Sequence, residues 1–393
     1  MTSNSRFGPL PAELWLEVFE WCFALPDSRD LLSDSYIPFQ SLYDDREYIR
    51  LKAAVNLVCR QWRALTLAIL YQDVHILPST APALRYAVGQ KASEGPHGYG
   101  QWVRRVVLPY TSTITHTAAP LQAVHILKYC PGVEALSRPR HAVPGPIGFE
   151  YEAETLHFPA LRRLEWWGNE EAERSGGLNS LGTVLAHAPG LRYLFIGGIM
   201  GTSSAGSQPS DLALLHLETL RLNVINGLLL NRLCSRWSLP ALRHVVLDSP
   251  LVGSDVGVLW GSLGPKLEVV ELGAHARFIM TDMITPCLHG CPDLRELNYH
   301  VFFTIPPHPD LRHNSLEVVR LHGAADQLLG EGTVVWKHLQ WHLEDMLTVE
   351  RFPSLKRVYL VGEEWRILGR KPGFSIMLGE LAAKGHRLDL LVY

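Results

Sequence analysis

From residue 100 onward one pattern of apolar and polar positions recurs along the chain: apolar-x-x-apolar-x-apolar, usually after a proline. Full copies occupy 103–108, 161–166, 191–196, 217–222, 242–247, 267–272, 294–299, 316–321 and 355–360, as in Leu217-Glu218-Thr219-Leu220-Arg221-Leu222. A weaker copy starts at Val133, where Arg138 takes the last apolar position. The ten leading positions run from Val103 to Leu355, one every 28 residues on average. Alternation at this length predicts a short strand in each copy. Between the strands lie helical faces such as Leu178, Leu181, Leu185 and Leu229, Leu233, Trp237. Pro131, Pro189, Pro240 and Pro292 then stop each helix before the next strand.

A strand and a helix at that period is the pattern of a leucine-rich-repeat-like array. Each unit buries its apolar positions only against its neighbours, so the expected fold for 78–393 is α/β, an irregular solenoid with a curved parallel sheet. The longer gap from Leu316 to Leu355 holds an amphipathic stretch with Leu339, Leu343, Met346 and Leu347, and Leu388 to Val392 reads as a closing strand. Interruptions rich in polar residues, Gly or Pro fall at 89–101, 137–157 and 199–211.

The third and fifth residues of each copy point away from the core. They are Arg105/Val107, Arg163/Glu165, Tyr193/Phe195, Thr219/Arg221, His244/Val246, Val269/Glu271, Glu296/Asn298, Val318/Arg320 and Arg357/Tyr359. Arginine mixed with aromatic and apolar side chains suits a protein-binding face better than a phosphate groove. The predicted substrate-binding residues are Arg105, Arg163, Tyr193, Phe195, Arg221, Val246, Arg320 and Tyr359, with Tyr193, Phe195 and Tyr359 as anchors. Arg105, Arg163 and Arg221 would also suit a phosphorylated partner.

Ahead of the repeats, Leu14, Val18 and Cys22 recur at i, i+4 and i+8, with Trp15 and Phe19 beside them, on a helix that Pro11 opens and Glu13 favours. Residues 26–48 are polar and carry Pro26 and Pro38, which predicts a loop or insertion. A second helix is expected from Ile49 to about Ile69 through Val55, Val58, Cys59, Trp62 and Leu65, followed by a short strand at 71–76. These helices hold more large apolar side chains than so small a unit can cover, which points to a partner.

Composition narrows the class. Apolar residues make up 47% and charged residues 19% of 393, which excludes a mostly disordered chain. Lys plus Arg at 36 against Asp plus Glu at 39 gives a net charge of −3, which argues against nucleic acid or an anionic membrane as partner. Six scattered cysteines are not a disulfide framework, and no stretch is long and apolar enough to span a membrane. An intracellular setting, cytoplasmic or nuclear, is expected. Cys287-x3-Cys291 around His289, and His338-x3-His342, are short of a metal site, which needs further ligands. No nucleophile elbow, phosphate loop or dinucleotide fingerprint occurs. Neither a cofactor nor an enzymatic activity is therefore expected.

The N-terminal segments carry a resemblance. Leu10-Pro11-x-Glu13-Leu14-x-x-x-Val18-Phe19, followed by Leu57-Val58-Cys59-Arg60-Gln61-Trp62-Arg63, resembles an F-box. Families of this type in filamentous and mushroom-forming fungi are similar through Leu70-Tyr71-x-Asp73-Val74 as well. The match covers 8–76 and implies an F-box domain at 1–77 with an insertion at about 24–48. The resemblance implies docking on the Skp adaptor, and through it a cullin, by Leu10, Pro11, Leu14, Phe19, Val58, Cys59 and Trp62. The repeats would then recruit a target protein to a ubiquitin ligase of the Skp–cullin type. The alternative is a leucine-rich protein-binding scaffold without ubiquitin transfer.

Overall fold

The computed structural model describes residues 10–23, 32–40, 46–77, 80–89, 98–108, 111–112, 123–140, 147–148, 156–168, 173, 176–198, 211–225, 227–251, 253–275, 278, 280–323, 334–346, 348, 350–362, 364–383 and 387–391. They form α/β structure in two compact units. The first comprises Met1–Asp34, Ser41–Trp166 and Glu171–Leu191, and the second Ser35–Gln40, Trp167–Glu170 and Arg192–Tyr393. The division falls inside the repeat array, so the N-terminal helices share a unit with the first strands.

The first unit begins with helices α1 (Ala12–Phe23), α2 (Arg46–Val58) and α3 (Arg60–Gln72). The single helix expected from Ile49 is thus two. Cys59 breaks it with an extended backbone (φ −158°, ψ 168°) and caps α3, its Sγ accepting from Trp62 N–H at 3.4 Å. A side chain that caps offers the backbone an alternative to continuing the helix. Strands β1 (Asp73–His75), β2 (Arg105–Val107), β3 (Ala135–Arg138) and β4 (Arg163–Trp167) follow, parallel and in register, with Asp73 beside Arg105, Arg105 beside Ala135 and Ala135 beside Arg163. The weak copy at Val133 therefore does form a strand. Arg138 fits there because its guanidinium lies 4.6 Å from the centre of the Trp166 ring and donates to Asn179 Oδ1 at 2.7 Å.

Besides the short parallel pair Leu212–Ala213 and Trp237–Ser238, the second unit carries eight described parallel strands in sequence order. They are β5 (Tyr193–Gly197), β6 (Thr219–Asn223), β7 (His244–Leu247), β8 (Val269–Leu272), β9 (Glu296–His300), β10 (Val318–His322), β11 (Arg357–Val361) and β12 (Arg387–Leu391). Crossovers between adjacent parallel strands run right-handed, which puts the connecting helices on one face. The sixth-position residues Leu222, Leu247, Leu272 and Tyr299 are buried. The expected closing strand is β12, in register with β11. Leu339 and Leu343 of the extra stretch are buried. Leu347, Val392 and the side chain of Met346 lie outside the described residues, as does most of the interruptions at 89–101, 137–157 and 199–211.

Register is held by one repeated device. The carbonyl of the second motif residue accepts the N–H groups of both the second and the third residue of the next strand. Arg192 O does so from Glu218 and Thr219 at 2.8 and 3.0 Å, Glu218 O from Arg243 and His244, and Arg243 O from Glu268 and Val269. Second positions in this unit run Arg192, Glu218, Arg243, Glu268, Arg295, Glu317, Lys356, alternating in sign. Arg243 pairs with Glu268, and Lys356 with Glu317 at 2.6 Å.

Helix packing in this unit depends on close backbone approach. A Cβ on Gly264 would stand 2.0 Å from the Gly290 carbonyl oxygen, and one on Gly290 would stand 2.4 Å from Trp260 Cβ. Gly264→Ala is expected to destabilise the unit by about 1–3 kcal/mol through overpacking. Urea denaturation monitored by tryptophan fluorescence measures it, and an unchanged midpoint would mean that the two helices separate freely.

Candidate functional site

Within each unit the third and fifth positions share a face, but not an open one. In the first unit Arg105 and Arg163 are buried. Arg105 donates to both oxygens of Asp73 at 3.1 and 2.9 Å. Arg163 grips Glu165 Oε1 from Nε at 2.8 Å and also donates to the Ser33 carbonyl at 2.9 Å. Burial pushes the Glu165 carboxyl up, but the guanidinium groups of Arg163 and Arg105 outweigh it and hold the group below the usual carboxylate range. These charges satisfy one another.

In the second unit Tyr193, Phe195, Arg221 and Val246 are buried as well, which corrects the exposure expected of these face residues, the anchors Tyr193 and Phe195 included. Trp167 stacks on Phe195 with ring centres 6.0 Å apart. Arg221 forms a fork with Asp248, Nε to Oδ2 and Nη2 to Oδ1, both at 2.8 Å. Arg320 and Tyr359 are half-buried: the Arg320 guanidinium sits 4.9 Å from the Tyr359 ring centre and pairs with Glu296, while Arg357 donates to Tyr359 Oη at 3.0 Å.

The cover over the middle of this face is the chain's own segment Ser35–Gln40, part of the stretch expected to be a polar loop. Ile37-Pro38-Phe39-Gln40 makes a turn closed by Gln40 N–H to Ile37 C=O at 3.4 Å. Pro38 at the second position and Phe39 at the third with φ 59° give the pattern of a type II turn. That third position favours glycine, and holding a bulky residue in it costs about 1–3 kcal/mol. The turn aims both aromatic side chains at the sheet. Tyr36 Oη donates to Glu271 Oε2 at 2.6 Å and accepts from Asn298 Nδ2 at 2.6 Å. Phe39 N–H donates to the same Glu271 oxygen at 2.8 Å, and Arg221 donates to the Gln40 carbonyl. The Tyr36 ring lies 5.2 Å from His244, and the Phe39 ring meets His300 and His322 edge-on at 5.2 and 5.0 Å.

Burial dominates the titration of these groups. It raises the Glu271 carboxyl, and Arg221, Phe39 N–H and the Tyr36 hydroxyl only partly offset it. Burial, and then the Glu271 charge, raise the Tyr36 phenol. Burial, and then His322 and Arg221, press His300 down to about 3. Glu271 and Asn298 were visible as face positions in the sequence. Tyr36 and Phe39 carried no signal beyond two aromatics around a proline in a polar stretch.

The helices of the first unit place the other predicted residues. Phe19, expected to face a partner, is 2% exposed and corrects that assignment: its ring packs against Trp15, Trp62 and Phe23 in the helical core. Trp62 is half-buried in the same cluster. Leu10, Pro11 and Cys59 are exposed. Leu14, Val18 and Trp21 are 46%, 41% and 72% exposed and lie at i, i+4 and i+7, one stripe of α1. At the end of α2, Leu57 and Val58 are 85% and 60% exposed.

Nothing among the described residues groups three or more metal-ligating side chains. Cys287 and Cys291 are buried free thiols, and burial followed by the Cys291 contact raises the Cys287 thiol well above its usual range. His338 and His342 both turn Nε2 to the Thr304 carbonyl, at 3.0 and 2.8 Å, and Tyr299 Oη lies 3.1 Å from His342 Nδ1. They tie a helix to the loop after β9. No described helix is long and apolar enough to cross a membrane. A scan against protein-family models finds no match for the chain, and a search of curated proteins finds none either.

Proposed function

We propose that the chain is a substrate receptor of a Skp–cullin-type ubiquitin ligase, its N-terminal helices docking on the adaptor and its sheet face recruiting the target. The observation that carries this reading is the apolar stripe Leu14, Val18, Trp21 on α1, exposed beside a helical core that is already filled by Phe19 and Phe23. Burying each such side chain is worth roughly 1.5–3 kcal/mol, so a helix that leaves three of them in water gains by acquiring a cover. The F-box-like order of Leu10-Pro11 to Phe19 and Leu57 to Arg63 favours the adaptor as that cover. The function is then proximity: a bound target is held near the charged ubiquitin carrier, which raises its effective concentration. No residue of this chain takes part in bond making.

Co-expression with a Skp-type adaptor tests the reading. The full chain is expected to co-purify with the adaptor. Leu10→Ala/Pro11→Ala and, separately, Leu14→Asp are expected to weaken the complex at least tenfold while circular dichroism stays unchanged. Well-folded protein that brings down no adaptor would leave the protein-binding scaffold as the reading and end the ligase proposal.

A further inference from the structure

The cover over the second unit's face has the attributes of a bound ligand. A single phenolic hydroxyl is read twice, as donor by the buried Glu271 and as acceptor by Asn298. The backbone is read at both ends of the turn, Phe39 N–H by Glu271 and Gln40 C=O by Arg221. Two histidines clamp the second aromatic ring. Phe39 meanwhile sits in the left-handed region that favours glycine. An unfavourable backbone conformation held in place by side-chain recognition is a sign of a functional constraint rather than of loop economy. Glu271 belongs to a strand whose neighbours at the same level are Val246 and Asn298, so sheet formation does not call for a carboxylate there.

We propose that this face is a peptide-recognition site for a short turn-forming segment with a tyrosine followed three residues later by an aromatic residue, and that Ser35–Gln40 occupies it as an internal competitor. The proposal deepens the reading of the sheet face as the target-recruiting surface and is independent of the adaptor. A tethered segment competes at an effective concentration that reaches the millimolar range. An external partner with the same chemistry must displace it, so the resting protein binds weakly and the opened protein binds well. The hydroxyl gives specificity: a phenylalanine in place of the tyrosine leaves Glu271 and Asn298 without their shared partner, and unpaired buried polar groups are costly.

The test uses the full chain without adaptor, so its outcome is separate from that of the co-purification. A fluorescein-labelled hexapeptide of sequence Ser-Tyr-Ile-Pro-Phe-Gln is titrated by anisotropy into the wild type and into Tyr36→Ala/Phe39→Gly. Glycine at 39 keeps the turn accessible while removing the ring. The opened variant is expected to bind at least tenfold tighter than the wild type, and the peptide with Phe for Tyr at least tenfold weaker than the parent peptide. A variant with wild-type circular dichroism that binds no tighter than the wild type, or that does not distinguish the two peptides, overturns the proposal. If the double variant does not fold, Tyr36→Phe keeps every ring contact and loses only the hydroxyl. It should bind the hexapeptide several-fold tighter than the wild type, and equal affinity overturns the proposal.

Discussion

Arg221→Ala is expected to lower the stability of the second unit by about 3–5 kcal/mol, the range for removing one partner of a buried ion pair. Arg221 is buried and forms a two-bond fork with Asp248. Its charge also offsets part of the burial penalty on Glu271, whose carboxyl Asp248 otherwise pushes up. Alanine therefore leaves two carboxylates in one poorly solvated patch and takes the arginine donor from the Gln40 carbonyl. Lysine keeps the charge but not the fork, so Arg221→Lys should recover only part of the loss. Arg221→Met/Asp248→Leu removes both partners and should recover more than either single change, because an apolar replacement of a buried pair is often near neutral. Urea denaturation of the four proteins measures this. A loss below 1 kcal/mol for Arg221→Ala would mean that water fills the site and that the pair is a surface contact.

Mild acid should be the second unit's weak point. His342 is fully buried and pressed down to about 3 by burial, then by His338. His300 reaches about 3 as well, through burial, then His322 and Arg221. Both rings are neutral in the fold but take up a proton at about 6.5 once unfolded. The unfolded chain thus binds more protons between these values, and stability rises with pH there. The contribution is whole above pH 6.5 and is lost as pH falls from 6.5 towards 3. The slope is up to about 1.4 kcal/mol per pH unit for each ring, or roughly 2 kcal/mol for His342 at pH 5. Denaturant midpoints measured from pH 7.5 to 4.5 should fall below pH 6.5, and His342→Gln should flatten the slope by the share of one proton. A midpoint independent of pH over that range would show that both rings protonate within the fold.

Much of this architecture was legible in the apolar pattern because each repeat states its strand with three buried positions, and period and register follow from them. Leu217, Leu220 and Leu222 are all buried as the motif requires. What the pattern could not convey was the state of the opposite face. Arg105, Arg163, Arg221 and Phe195 look like solvated or partner-facing positions because sequence records polarity, not the neighbour that satisfies it. Asp73 and Asp248 answer Arg105 and Arg221 from other strands or loops, and Glu165 answers Arg163 from two residues further along its own strand. The docked turn was hidden for a similar reason. Tyr36 and Phe39 follow no period, since a segment that binds as a ligand is selected by its site and not by its own regularity. In the helices the error ran the other way: Phe19 shares the stripe spacing of its neighbours, and only the positions of Trp15 and Trp62 show that it faces inward.

The alternating signs at the second motif positions give the second unit a parity. From Arg192 to Lys356 every repeat faces a neighbour of opposite charge across the strand gap. Exposed pairs such as Lys356 and Glu317 contribute little singly, but like charges set directly opposite are unfavourable. Excising one repeat would bring two arginines or two glutamates face to face, whereas excising two adjacent repeats would restore the sequence of signs. Within the second unit the order of signs thus survives the gain or loss of repeats only in steps of two, one basic and one acidic.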